Sequence, residues 1–206
     1  SGYDELKEEY VESLQKEMMR YRDTLQDDLI QTIYIGGGTP TCLHQDLIQR
    51  VLETCFNSFK VVQGCEISIE SNPGTLSVEM LAALKQSGVN RLSIGLQSWN
   101  ERELKRLGRI HTKEDFTRNY STARQVGFDN INVDLMFSLP EQGMKEWENT
   151  LRNIISLAPE HISCYSLKIE ENTPFYHEYY NNHLQLPDEA TDREMYDRAI
   201  AWLGES

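Results

Sequence analysis

Five short runs rich in isoleucine, valine and leucine, at residues 31–35, 66–70, 91–96, 131–137 and 162–168, alternate with segments whose apolar residues recur every three or four positions. This alternation restricts the fold more than any other feature of the chain. Parallel neighbours cannot be joined by a hairpin and need a crossover, usually a helix, so strand and helix in turn predict a parallel sheet covered by helices. Helices are predicted at about 4–25, 44–58, 77–85, 100–107, 113–126, 144–157 and 188–203. The first carries Leu6, Tyr10, Leu14, Met18, Tyr21 and Leu25 as its apolar stripe; the second carries Leu47, Ile48, Val51 and Leu52, with Cys55 or Phe56. Ser77 and Asp188 are placed as N-caps, Gly88 and Gly127 as stops, and Pro159 follows a helix end. The alternation never breaks into a polar linker, and 206 residues suit one sizeable core, so residues 1–206 are read as one α/β domain.

The carboxyl ends of the five runs are polar, and in a parallel α/β sheet or barrel that end holds the ligand. Ile35 leads into Gly36, Gly37, Gly38, Thr39, Pro40 and Thr41; Ile69 into Glu70 and Asn72; Leu96 into Gln97 and Ser98; Val133 into Asp134; and Tyr165 into Ser166 and Lys168. Three successive glycines weaken regular structure, and their use is close approach of the main chain to a ligand, whose carboxylate, phosphate or polar end the exposed N–H groups would meet. The same residues also suit a tight strand-to-helix turn with no ligand. Singly, Glu70 or Gln97 could cap a helix and Asp134 could pair with a lysine; five polar strand ends together favour a shared site.

The familiar nucleotide and hydrolase patterns do not fit. GxGxxG, a P-loop lysine, a nucleophile elbow and HExxH are all absent from the sequence. His44, His111, His161, His177 and His183 are scattered and read as loop or surface residues. Cys42, Cys55, Cys65 and Cys164 contain no CxxC or CxxxC spacing, so they predict no metal site, and free thiols in a reducing cytoplasm are expected. A net charge of −13 argues against nucleic acid, and no apolar run is long enough to span a membrane.

Several blocks, in order, resemble one family. They are Tyr34-Ile35-Gly36-Gly37-Gly38-Thr39-Pro40-Thr41, Ile69-Glu70-Ser71-Asn72-Pro73-Gly74, Gly88 to Ser98, Leu107-Gly108-Arg109-Ile110-His111, and Asn132-Val133-Asp134-Leu135-Met136 followed by Leu139-Pro140. Together they are similar to the radical S-adenosylmethionine proteins related to oxygen-independent coproporphyrinogen III oxidase. Within that family, Ser166 to Tyr176 and Leu186-Pro187-Asp188-Glu189 resemble the HemW-type haem chaperones rather than the oxidase itself, HemN. The oxidase, which decarboxylates porphyrinogen propionates, is the alternative, so whether the chain is an enzyme stays open.

The resemblance implies a partial (β/α)6 TIM-like barrel without its first strand and cluster loop, 1–206 being a radical SAM core domain truncated at both ends. It implies S-adenosylmethionine and a [4Fe–4S] cluster as cofactors, haem or porphyrinogen as ligand, and a haem-accepting protein as partner. Gly37, Gly38 and Thr39 match the turn that meets the amino group of S-adenosylmethionine, and Glu70 the acidic residue near its ribose and amino end. Gln97, Arg109, Asp134 and Lys168 match cofactor contacts of the oxidase; Arg109 suits a carboxylate because its fork can bind both oxygens. The cluster would need CxxxCxxC on a loop before residue 1, because spacings of 13 and 10 residues between Cys42, Cys55 and Cys65 cannot wrap one loop around it. The chain alone is therefore expected to start no radical chemistry, and no catalytic residue is assigned.

Overall fold

The computed structural model describes residues 2–205. Helix α1 (Gly2–Tyr21) is followed by β1 (Leu29–Ile35), α2 (Gln45–Ser58), β2 (Lys60–Ser71), α3 (Val78–Gln86), β3 (Arg91–Gln97), α4 (Glu101–Arg106) and α5 (Lys113–Val126). Then come β4 (Ile131–Phe137), α6 (Met144–Ile155), β5 (His161–Ser166), α7 (Pro174–Tyr180) and α8 (Glu189–Gly204). The strands form one sheet in the order β1-β2-β3-β4-β5, β1 being parallel to β2 and β4 parallel to β5. A strictly sequential order arises when every crossover steps the same way, as in a barrel; a doubly wound sheet reverses at a switch point.

Contacts divide the chain into two compact units, residues up to 93 with 119–130, and residues 94–118 with 131 onward. In the first, β2 buries Cys65, Ile67 and Ile69 on one face; on the other, Glu66 is exposed and Glu70 half-buried, while the small Ser68 between them is buried too. Helix α1 packs through Val11, Leu14 and Met18 on Leu43 and on Leu47 and Val51 of α2. Of the predicted stripe, Leu6, Tyr10 and Tyr21 are exposed, and the helix ends at Tyr21 rather than near residue 25, past the last side chain in that cluster. Strand β2 starts earlier than predicted, and its register to β1 jumps between Ile30–Val61 and Thr32–Glu66; Gly64, at φ +79°, lies in the resulting bulge.

In the second unit, Ile131, Val133, Leu135 and Phe137 of β4 are buried on one face. Trp147 of α6 is fully buried against Phe137, with ring centroids 5.4 Å apart, and its Nε1 donates to the Met195 carbonyl of α8 at 2.8 Å. Strand β5 ends at Ser166, two residues short of the prediction, so Lys168 lies in the segment beyond it. Helix α7 was not among the predicted elements. Its start is encoded in Thr173, whose Oγ1 accepts the Tyr176 N–H at 3.2 Å, and in Pro174 at the first helical position, but seven residues give no apolar period to detect. Among the described residues no helix is long and apolar enough to cross a membrane.

Candidate functional site

The glycine turn of the first unit is held by two neighbouring segments. Gly37 and Gly38 take φ of +88° and +111°, conformations that only glycine adopts without strain, and a Cβ on either would meet open space. Gly36 differs: a Cβ there would lie 2.7 Å from Tyr34 Cε1 and 3.0 Å from Glu70 Cδ. The Glu70 carboxylate closes over the turn, with Oε1 accepting Tyr34 Oη at 2.6 Å and Oε2 accepting the Gly37 N–H at 3.2 Å. From the turn after β2, Asn72 Nδ2 donates to Thr39 Oγ1 at 2.7 Å. Thr75 Oγ1 donates to the Asn72 carbonyl at 2.8 Å and lies 2.5 Å from Thr41 Oγ1. The two sequence blocks around Gly36–Thr41 and Glu70–Thr75 are thus one hydrogen-bonded structure. A cavity of about 450 Å³ reaches the turn from the apolar side chains of α1, β1 and α2.

The second unit holds the remaining predicted residues. Gln97 is buried at φ +76°, and its Oε1 accepts Tyr165 Oη at 2.9 Å. Asp134 Oδ1 accepts Asn132 Nδ2 at 2.7 Å, and Asn132 Oδ1 in turn accepts Ser163 Oγ at 3.0 Å and lies 2.5 Å from His161 Nδ1. Arg109 is half-buried, its N–H fixed on the Leu104 carbonyl at 2.9 Å. Lys168 stands apart from these: its side chain is 82% exposed and paired with Glu170 at 2.8 Å, which holds its ammonium above the usual lysine range. Gly37 with Glu70, and Thr39 with Asn72, are therefore joined directly, whereas Gln97 and Asp134 each have other partners.

Asn72, named from sequence with Glu70 as a polar strand end, belongs to these networks; Tyr34 and Tyr165 belong to them too and were not singled out from sequence. Tyr34 and Asn72 lie inside the quoted motifs; Tyr165 could have been found only from the β4–β5 register, which sets it opposite Met136. Tyr34→Phe should leave the turn in place and remove one donor to Glu70. A fall of about tenfold in affinity for a cationic ligand of the turn, read by calorimetry, is expected for a hydrogen bond to a charged acceptor.

His111, read as a loop or surface residue, does lie in the loop between α4 and α5 but not at the surface. It is 4% exposed, and its Nε2 lies 3.2 Å from the Leu96 carbonyl, so the neutral ring donates there. Burial pushes its pKa down, and Arg109 adds to this, against the opposing pull of that hydrogen bond and of Asp115 and Glu101. With the folded pKa below the unfolded one, the stabilisation is present above the unfolded value and lost as pH falls through the folded one. Urea midpoints should therefore drop more between pH 7.5 and 5 for the wild type than for His111→Gln; equal drops would contradict the neutral buried ring.

Three comparisons bear on this geometry. The model of the radical SAM superfamily matches residues 3–154. The heme chaperone HemW of Bacillus subtilis strain 168 is 40% identical over 192 residues, 92% of this chain and 50% of that protein. The heme chaperone HemW of Escherichia coli K12 is 39% identical over 168 residues, 82% of this chain and 44% of its own length. The chain thus spans about half the length of the relatives it matches. The solved structure of coproporphyrinogen III oxidase (HemN) from Escherichia coli, a radical SAM enzyme, superposes on 100% of this chain and 47% of its own, with a TM-score of 0.86 and 25% identity. That superposition bears out the α/β class and the partial TIM-like barrel.

Proposed function

Because the chain belongs to the radical SAM superfamily, we propose that it is the central part of a HemW-like haem chaperone, which holds a [4Fe–4S] cluster and S-adenosylmethionine and passes haem to an acceptor protein. Residues 1–206 are then part of one radical SAM core domain, in a cytoplasmic protein. The observation that carries the reading is the 40% identity to a HemW across 92% of the chain.

The glycine turn fits the amino-acid end of S-adenosylmethionine. Gly37 and Gly38 leave room for a ligand against the backbone, and the Glu70 carboxylate beside them suits a cationic amino group. Thr39, fixed by Asn72, completes that contact. Gln97, Asp134 and Arg109 are proposed as further cofactor contacts, as is Lys168 once it leaves Glu170. When bound with its cluster, the cofactor supplies a 5′-deoxyadenosyl radical; the part of these residues is to bind and orient it.

The residues present do not fit the cluster. Cys42, Cys55, Cys65 and Cys164 are free, and among the described residues no three His, Cys, Asp or Glu come together to hold a metal. Burial and the charge of Asp134 push the Cys164 thiol up to about 12, far from the thiolate a cluster needs. Reconstitution of this chain with iron and sulfide should give no stable cluster, read as the absence of broad visible absorption after desalting; a stable cluster would contradict the proposal that the ligands lie elsewhere.

A second reading, the oxidase, is favoured by the TM-score of 0.86 with HemN over the full chain. The protein with its flanking sequence decides between them. Haem transfer to an acceptor without loss of porphyrinogen propionates supports the chaperone, and formation of the vinyl product overturns it.

A further inference from the structure

Ser98 follows Gln97 directly and is fully buried. Its Oγ donates to Glu103 Oε2 at 2.5 Å and accepts the Asn100 N–H at 2.9 Å. The same carboxylate oxygen accepts Gln142 Nε2 at 3.0 Å, while Gln142 Oε1 accepts the Leu139 N–H at 3.2 Å. Glu103 and Gln142 are 5% and 4% exposed. One buried oxygen therefore ties the segment leaving β3 to the segment leaving β4.

A carboxyl is a costly side chain for this place. Burial pushes the Glu103 pKa up in spite of the bonds from Ser98 and Gln142, and Oε1 has no hydrogen-bond partner. An alanine or leucine at the same position of α4 would remove that cost but leave Ser98 Oγ and Gln142 Nε2 without their acceptor, so the glutamate is there for the two segments that carry them. Gln97 is held at φ +76°, a left-handed conformation that a non-glycine residue keeps only when its surroundings impose it.

We propose that Glu103 is a positioning residue: through Ser98 it holds Gln97 in its left-handed conformation with the side-chain oxygen on Tyr165, and through Gln142 it anchors that strand end to the turn after β4. The consequence for the backbone stands on the geometry; the consequence for cofactor binding rests on the assignment of Gln97 to the S-adenosylmethionine site.

Hydrogen exchange on the full chain, paired with titration of S-adenosylmethionine, separates the two. Glu103→Ala and Ser98→Ala should each speed exchange of amides 97–100 by about tenfold, the loss expected from one buried hydrogen bond, with β1 and β2 unchanged. Glu103→Gln keeps an acceptor oxygen for Ser98 and Gln142 and should restore wild-type exchange. S-adenosylmethionine should bind the alanine variants about tenfold more weakly and the glutamine variant normally. Ser98→Ala removes only a hydroxyl, so it reads the link even if Glu103→Ala fails to fold. Wild-type exchange at 97–100 in Ser98→Ala would overturn the positioning role. The expected exchange pattern without cofactor binding by any of the proteins, wild type included, would support that role and overturn the cofactor assignment.

Discussion

Trp147→Ala should lower the unfolding free energy by about 3–5 kcal/mol, read as a large fall in the urea midpoint at unchanged slope. Trp147 is fully buried, stacked at a tilt on Phe137 of β4 and hydrogen-bonded to the Met195 carbonyl of α8. Truncation removes the largest side chain of the second unit's core, leaves a cavity the surrounding helices cannot fill, and takes the second of two donors from a helical carbonyl. Trp147→Phe separates these effects. It keeps most of the apolar contact and should cost about 0.5–1.5 kcal/mol, the net worth of one hydrogen bond, because the Met195 carbonyl lies inside α8 and keeps its helical partner. A loss below about 1 kcal/mol for the alanine variant would mean that α6 and α8 are not held through this residue.

Gly36→Ala should weaken S-adenosylmethionine binding by at least about tenfold while changing stability little, because the new methyl group strikes side chains rather than backbone. It would sit 2.7 Å from Tyr34 Cε1, closer than real Cβ contacts allow, and 3.0 Å from Glu70 Cδ and Oε1, tighter than most. Tyr34 and Glu70 must move, and with them go the 2.6 Å bond between them and the 3.2 Å bond from the Gly37 N–H. Gly37→Ala fails for a different reason: space is open there, but φ +88° costs an L-residue about 1–2 kcal/mol. Calorimetry beside urea unfolding tells the two apart. The Gly36 variant should lose binding and keep its midpoint, and the Gly37 variant should lose stability.

Much of this was legible in the sequence, for physical reasons that differ by element. The apolar run Ile131, Val133, Leu135 and Phe137 identifies β4 because these side chains must be buried, and the glycines after Ile35 announce their turn because no other residue takes those angles without strain. Capping residues placed α3 and α8 through Ser77 and Asp188, both of which accept hydrogen bonds as caps. What escaped depends on distant partners. His111 reads as a surface residue until Leu96 is brought to it, and Tyr165 has no role until the chain places Gln97 beside it. For Lys168 the sequence shows the motif but not the pairing: β5 stops at Ser166, and the exposed ammonium rests on Glu170. The bulge at Gly64 and the short helix α7 lie below the length at which periodicity can speak.

Gly37, Gly38, Thr39 and Glu70 are the clamp proposed for S-adenosylmethionine. Titrating the cofactor into the wild-type chain and into Glu70→Ala, each checked for an unchanged circular dichroism spectrum, tests it most directly. The account predicts saturable one-to-one binding by the wild type and loss of that binding in the variant. Equal binding by the two proteins, or none by the wild type, would contradict it.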